Sequence, residues 1–217
     1  MEDIVLVYRT RRGEDVIILE PEVTQIDLSY RHISEIDLSP LSQCRHLEVL
    51  DLSSNLLQTI DLWPLMRCKK LSRLILRDNP LTHIDVTPLF ACPMLSNVEV
   101  DPTVEIEAHY ELGMMGRRPR PLDGLRRRRA VKWSHGEELD PLRTIEEIKN
   151  KVYAELSDTF RSPDNAQVVD ETLKFRIVEE VERAIEREMS EAEKKRDYKR
   201  LFILERGLDY IRTNMPT

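Results

Sequence analysis

Apolar and polar positions in the first half of the chain follow a pattern that returns every 24 residues. A triplet with apolar residues at both ends recurs four times, at 26–28, 50–52, 74–76 and 98–100. A second triplet recurs three times, at 36–38, 60–62 and 84–86. Columns of Pro, Leu, Cys and Leu follow the second triplet at the same interval. A fixed period of roughly 20 to 29 residues with this spacing predicts a solenoid, in which each unit buries its apolar face by stacking on the next.

Each repeat is expected to contain a short strand and a helical turn. The first triplet predicts a strand that pairs in parallel with its neighbours, because alternation places its apolar side chains on one face. Pro40, Pro64 and Pro88 predict the first residue of a helical turn on the convex side. Ser39 and Thr87 precede two of these prolines and predict side-chain caps for their turns.

The two ends of the array need protection from solvent and from further stacking. Near the N-terminus, the β-rich runs 4–8 and 16–19 flank the polar stretch 11–15 and predict a hairpin that caps the first repeat. At the other end, residues 104–112 are expected to close the last repeat.

One repeat carries a specific family pattern. From Leu47 the sequence reads Leu-x-x-Leu-x-Leu-x-x-Asn-x-Leu and continues as Ile-Asp-Leu-x-Pro-Leu-x-x-Cys. This pattern resembles the leucine-rich-repeat family over residues 23–106, and it is similar to that of short archaeal leucine-rich-repeat proteins with a 24-residue repeat. The resemblance implies an α/β fold and protein recognition without catalysis. Asn55 and Asn79 occupy the position where such repeats turn away from the strand, and Arg31 replaces them in the first repeat.

The pattern becomes helical after residue 138. Asp140-Pro141 predicts the start of one helix, Ser162-Pro163-Asp164 the start of a second, and Ser190-Glu191-Ala192-Glu193 a capping box that starts a third. The long apolar stripe of the second helix leaves open a homodimer through the helical region. We therefore divide the chain into a hairpin cap, a leucine-rich-repeat array, a basic linker and a helical C-terminal region, at 1–22, 23–112, 113–138 and 139–217.

Charge is distributed unevenly along the chain. The net charge is −7, but the predicted linker is strongly basic. Its candidate binding residues are Arg126, Arg127, Arg128, Arg129 and Lys132. Such a segment can dock on acidic surface of the same chain or of another protein, bind nucleic-acid phosphates or lie on an anionic membrane. Protein docking is the first choice and nucleic acid the second, because only Trp133 offers a stacking ring nearby.

The non-core positions of the predicted strands form the candidate partner-binding surface, on the concave face of the solenoid. Its residues are Gln25, Asp27, Tyr30, Val49, Asp51, Arg73, Ile75, Arg77, Asp78, Asn97 and Glu99. Asp27 and Asp51 fall on neighbouring strands about 4.8 Å apart, which favours an acidic strip that a basic partner would neutralise. A second aspartate column, at 37, 61 and 85, indicates a repeated structural contact whose nature the sequence leaves open.

Residues with catalytic or metal-binding chemistry form no recognisable constellation. The three Cys fall one per repeat without a His or Cys at ligand spacing, which predicts buried free thiols in a cytoplasmic compartment. The sequence has no phosphate-binding glycine loop or HExxH motif. It also lacks an apolar run of the roughly 18 residues that a membrane span needs. We expect no catalytic residues, no cofactor, no metal and no transmembrane segment.

These observations predict a cytoplasmic, non-catalytic interaction module or adaptor. Its concave face would bind a protein partner, and the helical region is a second candidate surface. Two alternatives are an RNA- or ribonucleoprotein-associated adaptor that uses the Arg-rich segment, and a regulator of a small GTPase or phosphatase. The last rests on analogy between folds alone.

Overall fold

The computed structural model describes residues 3–109, 131–134, 140–160 and 171–214. The chain divides into two compact units, Met1–Gly136 and Glu137–Thr217. Strands β1 to β10 of the first unit span Ile4–Thr10, Gly13–Leu19, Gln25–Asp27, Ile33–Ile36, Val49–Asp51, Arg73–Ile75, His83–Asp85, Asn97–Glu99, Glu105–His109 and Val131–Ser134.

Four of these strands form one parallel sheet, which we call the repeat sheet. Its order is β3-β5-β6-β8, and Gln25 lies opposite Val49, which lies opposite Arg73. Each strand is therefore displaced from its neighbour by 24 residues, as the triplets predict. The middle residue of each of the first three strands of this sheet, such as Leu50, is buried and packs into the core.

A short 3-10 helix follows the second triplet in each repeat. These helices span Ser39–Gln43, Trp63–Arg67 and Thr87–Ala91, with proline in the first turn. The prediction that Ser39 and Thr87 cap these turns is wrong. The N-cap positions belong to Leu38 and Val86, and neither has a side-chain cap hydrogen bond.

The aspartates that precede these helices accept N–H hydrogen bonds at the helix starts, the role that the sequence predicted for Ser39 and Thr87. Asp37 Oδ1 accepts the backbone N–H of Ser39 at 2.9 Å. Asp61 and Asp85 accept the N–H two residues further on at the same distance. The carboxylate therefore satisfies an N–H at the start of each helix, which explains the column that the sequence left unassigned.

A three-stranded sheet lies at each end of the repeats, in the orders β2-β1-β4 and β10-β9-β7. The predicted N-terminal hairpin is present, with a two-residue turn at Arg11–Arg12, and β1 also pairs antiparallel with β4 of the first repeat. At the other end, β9 pairs in parallel with β7. Residues 110–112 of the predicted closing segment lie outside the described residues.

Part of the predicted basic linker is a strand. Val131–Ser134 forms β10, which pairs in parallel with β9 and places Lys132 opposite Glu107. The linker prediction missed it because four residues within a strongly basic stretch carry too little periodicity to indicate a strand.

The second unit contains three helices within the described residues: α1 (Pro141–Phe160), α2 (Glu171–Lys194) and α3 (Tyr198–Asn214). Their core is an apolar cluster in which Ile148, Ile185 and Leu204 are almost fully buried. The predicted start of α1 is confirmed, since Asp140 Oδ1 accepts the N–H of Leu142 at 3.0 Å. The predicted start of α2 at 162–164 lies outside the described residues.

The predicted capping box at 190–193 is wrong, because α2 continues through it to Lys194. Ala192 is buried there, so the apolar stripe runs past Ser190. The turn comes at Arg196, whose φ of 55° reverses the chain. Asp197 then starts α3 by accepting the N–H of Arg200 at 3.0 Å.

Candidate functional site

The outward-facing residues of the repeat sheet form two rows that run across all four strands, and we call this surface the ladder face. The rows are Gln25, Val49, Arg73, Asn97 and Asp27, Asp51, Ile75, Glu99. Strand alternation sets both rows on the side opposite the buried middle residues. The structure thus brings together eight of the eleven residues that the sequence assigns to the partner-binding surface. The other three, Tyr30, Arg77 and Asp78, follow the strands.

Asp27 and Asp51 stand opposite each other in register, as predicted. In each, Oδ1 accepts two hydrogen bonds from the serine two residues on. For Asp27, the Ser29 hydroxyl donates at 2.7 Å and its backbone N–H at 2.9 Å. For Asp51, the distances to Ser53 are 2.6 and 2.9 Å. Both carboxylates therefore hold the turn that ends their strand, in addition to presenting charge.

The hydrogen bonds from Ser29 lower the pKa of Asp27 below its ordinary value, the hydroxyl more than the backbone N–H. The hydrogen bonds favour the ionised form of the carboxyl group because they are made to its oxygen. Asp27 therefore stays negatively charged at neutral pH, which keeps the β3 side of the ladder face acidic.

The β6–β8 side of the face is charged differently. Arg77 Nη1 lies 3.3 Å from Glu99 Oε2, and Asn97 Nδ2 donates to Glu99 Oε1 at 2.8 Å. Asp78 is tied to the next repeat by its backbone N–H, which donates to Asp101 at 2.8 Å. These contacts offset the charge of Glu99 and leave Arg73 as the exposed cation of the row.

Arg73 lies at the centre of the face. It is exposed and stands directly opposite the half-buried Val49. Ile75, also half-buried, follows two residues later on the same side of β6. No ion pair involves Arg73 within the part of the chain that the structure describes. An unpaired guanidinium beside two apolar side chains is a combination that protein interfaces favour.

Tyr30 is the most exposed large apolar or aromatic side chain of this region, at 76%. Its φ is 57°, and the equivalent residues Ser54 and Asp78 have φ values of 54° and 59°. A left-handed backbone is uncommon for bulky residues and easier for Asp or Asn. The turn is held by hydrogen bonds between repeats, such as Tyr30 N–H to the carbonyl of Ser53 at 3.2 Å. Tyr30 was a candidate from sequence, but no sequence pattern predicted this conformation.

The asparagine column lies inside the repeats and bonds only to backbone. Asn55 Nδ2 donates to the carbonyls of Leu28 and Leu52 at 2.8 and 2.9 Å. Its Oδ1 accepts the N–H groups of Arg31 and Ile33, both at 3.0 Å. The first repeat has Arg31 in this column, and Asn55 of the second repeat satisfies its N–H. Asn79 repeats the pattern with Leu52, Leu76 and Leu57.

The cysteine column is buried and structural. Cys44, Cys68 and Cys92 are free thiols, and the last two donate to the carbonyls of Leu41 and Leu65 at 3.3 and 3.4 Å. Burial raises the pKa of Cys44 to about 11 and that of Cys92 to about 12. Among the described residues, no group of three His, Cys, Asp or Glu side chains could hold a metal ion.

The candidate residues Arg126, Arg127, Arg128 and Arg129 lie outside the described residues, and only the strand position of Lys132 is described. Their assignment to nucleic acid or to protein docking stays a prediction. Within the ranges that the structure describes, no helix has the length and apolar character to cross a membrane.

Residues 21–81 match the family model for the leucine rich repeat. The matched segment contains β3 to β6, and β8 continues the same 24-residue register beyond it. No curated protein gave a significant match to the sequence. Leucine-rich repeats generally mediate protein–protein interactions and are typically non-catalytic.

Proposed function

We propose that this chain is a non-catalytic protein-interaction module whose ladder face binds a protein partner. One observation carries the proposal. Arg73, which makes no ion pair within the described residues, lies at the centre of the face between the half-buried Val49 and Ile75. The apolar side chains exclude water from the contact, and the unpaired arginine donates directional hydrogen bonds to a partner.

The charges of the face suggest the chemistry of the partner. Asp27 and Asp51 make the β3–β5 side acidic, whereas Arg73 supplies a positive charge on β6 that is unpaired within the described residues. A complementary surface would place basic groups over the aspartates and a carboxylate over Arg73. Tyr30, exposed at the edge of the acidic side, would supply an aromatic contact that can also stack on an arginine of the partner.

We further propose an adaptor role in the cytoplasm. The three buried free thiols support a reducing compartment. The helical unit supplies a second surface that is separate in the chain from the ladder face.

The proposal is tested by affinity capture from native cell extract, followed by quantitative mass spectrometry. The test variant is Arg73→Glu. The matched control is Arg45→Glu, which makes the same charge change at another exposed arginine, directly after Cys44 and outside the repeat sheet. We expect a protein that the parent and Arg45→Glu recover equally and that Arg73→Glu recovers at least about tenfold less, since loss of a central interface arginine costs about 1.4 kcal/mol or more.

Recovery of the same proteins in equal amounts by both variants would rule out the ladder face as the binding surface. Circular dichroism of both variants establishes that neither substitution has unfolded the repeats.

A further inference from the structure

Among the described residues, strand β2 forms the outer edge of the sheet β2-β1-β4. It pairs with β1 over its whole length without a register shift. The stretch from Val16 to Leu19 carries no charge, no proline and no bulge. Proteins usually protect exposed edge strands with one of these devices, because unpaired backbone groups on an edge recruit another strand.

The hairpin is apolar on both faces. Ile4, Leu6 and Tyr8 of β1 are buried on the inner face. The outer face carries Val5 opposite Ile18 and Val7 opposite Val16. These four side chains are 48%, 65%, 41% and 54% exposed in that order. The two on the edge strand are the most exposed, because they lack a neighbour on one side.

The backbone of β2 also has donors and acceptors that point away from β1. The turn at 11–12 makes Thr10 and Gly13 a hydrogen-bonded pair, so the groups of Glu14, Val16 and Ile18 face outward. The N–H of Val16 bonds instead to the carboxylate of Asp15 at 2.9 Å, as expected for an outward-facing donor. When a second strand pairs with β2, the N–H of Val16 would donate to a carbonyl of that strand instead of to Asp15.

Charge selects the orientation of that strand. The turn before β2 carries the exposed Arg11 and Arg12, and the residue after β2 is the exposed Glu20. Antiparallel pairing of β2 with its own copy places the basic turn of one molecule beside the acidic end of the other, and two-fold symmetry makes this contact twice. Parallel pairing would place like charges together.

We propose that two copies of this chain associate through antiparallel pairing of their β2 strands. The pairing joins two three-stranded sheets into one of six strands. It supplies the missing neighbours of Val16 and Ile18 and uses the outward-facing groups of Glu14 and Ile18. This surface is distinct from the ladder face, so the two proposals stand or fall separately.

The test is sedimentation equilibrium of the full chain over a range of about 1 to 100 µM, which spans the affinity expected of a small interface. The parent protein should shift from the mass of one chain to that of two. The variant Val16→Glu with Ile18→Glu should stay monomeric over the same range, because it brings four added glutamates together at the edge, beside Glu14 of each copy. Both positions are more than half exposed, so the fold should tolerate the change.

The matched control is Val5→Glu with Val7→Glu, which places the same charges on the same face but on the central strand. It should keep the dimer. A parent protein that is monomeric at about 100 µM would overturn the proposal. Equal loss of the dimer in both double variants would also overturn it, because this would indicate association through the face of the sheet. Persistence of the dimer in both would overturn it too, because this would indicate association through the helical region or another surface.

A charge exchange tests the orientation. Arg12→Glu and Glu20→Arg should each weaken the dimer about tenfold, whereas the combination should restore the affinity to within about threefold of the parent. If the combination is as weak as the sum of the single variants, the strands do not pair antiparallel in this way.

Discussion

The repeats and the helical unit use polar side chains in opposite ways. In the repeats, the buried Asn55 bonds to four or more backbone groups of two adjacent repeats. In the helical unit, polar side chains bond mainly to one another at the surface, as Arg212 does with Glu182 and Glu186 at 3.4 and 3.2 Å.

The difference follows from how each fold satisfies its backbone. A helix satisfies its own backbone except at the ends. A repeat built from three-residue strands and tight turns leaves many N–H and C=O groups that the strand pairing does not reach, and buried groups of this kind need a partner. Asparagine and aspartate columns supply that partner, so the loss of one polar residue should matter far more in the repeats than in the helices.

The largest effect is expected from Asn55→Ala. The substitution leaves two N–H groups and at least two carbonyls without their partner in a buried site, each at a cost of about 1–3 kcal/mol before relaxation. We expect the free energy of unfolding to fall by about 4 kcal/mol. Urea titration followed by tryptophan fluorescence measures it, because Trp63 is buried in the repeats.

Asn150→Ala is the control for that comparison. Asn150 is exposed in the interior of α1, and alanine is the better helix former, so the change should stay within about 0.5 kcal/mol. Ellipticity at 222 nm reports on the helices. If Asn55→Ala and Asn150→Ala lowered the free energy of unfolding equally, buried polar side chains would not matter more in the repeats than surface ones do in the helices.

The next largest effect concerns apolar packing in the helical unit. Gly207 lies in α3 where a Cβ atom would overlap the side chain of Ile145 on α1. Alanine normally favours a helix by about 1 kcal/mol over glycine, but we expect Gly207→Ala to destabilise the unit by about 2 kcal/mol through overpacking.

Combining Gly207→Ala with Ile145→Ala should cost less than the sum of the two single variants, because the second substitution removes the overlapping atoms. Thermal unfolding followed at 222 nm gives the comparison. A Gly207→Ala variant more stable than the parent would show that α1 and α3 do not require the close approach.

The thiols of Cys44, Cys68 and Cys92 are buried in the repeats. Because burial raises the pKa of Cys44 to about 11, its thiolate fraction at pH 8 is about a hundredfold below that of an ordinary cysteine. A thiol-specific reagent should therefore react with the native protein slowly and with the unfolded protein at once. Rapid reaction of the native thiols would contradict their placement in the core.

The same pKa values predict how stability changes at high pH. A thiol whose pKa is raised in the folded state contributes stability that is fully present below the unfolded pKa of about 8.5 and is lost as the pH rises through the folded value. The free energy of unfolding should fall between about pH 9 and pH 12, where Cys44 and Cys92 titrate. A variant with alanine at both positions should show a shallower fall.

The smallest effect is expected at the helix surface. Arg212 is half exposed and pairs with Glu182 and Glu186, and solvent screens such pairs strongly. We expect Arg212→Ala to cost about 0.5 kcal/mol or less. A loss above about 2 kcal/mol, measured by urea titration at 222 nm, would mean that this surface network stabilises the helices as strongly as backbone bonding stabilises the repeats.

The sequence predicted the parts of the fold that repeat. Columns such as Leu50 and Asn55 recur at a fixed interval, and the register of the repeat sheet follows from that interval. It could not predict the pairing of β1 with β4, because that contact depends on where the hairpin meets the first repeat. The error at Ser190 has a local cause: a capping-box pattern inside a helix has no effect while buried residues such as Ala192 continue the apolar stripe.

For the candidate site too, the repeating positions were predictable and the local contacts were not. Strand alternation identified the rows that contain Asp27 and Arg73. The hydrogen bonds between Asp27 and Ser29, the ion pair of Arg77 with Glu99 and the left-handed backbone of Tyr30 all depend on the exact turn geometry. The sequence therefore indicated the position of the candidate surface better than the charges that are available on it.

The most direct test of the ladder face is site-specific photo-cross-linking in native extract. A photoreactive amino acid replaces Gln25, exposed in the first row of the face, or Gln43, also exposed but at the end of a 3-10 helix outside the repeat sheet. We expect position 25 to cross-link a discrete partner protein, and the yield to fall when Arg73→Glu is introduced into the same chain. Cross-linking of that partner from position 43 but not from position 25 would contradict the account.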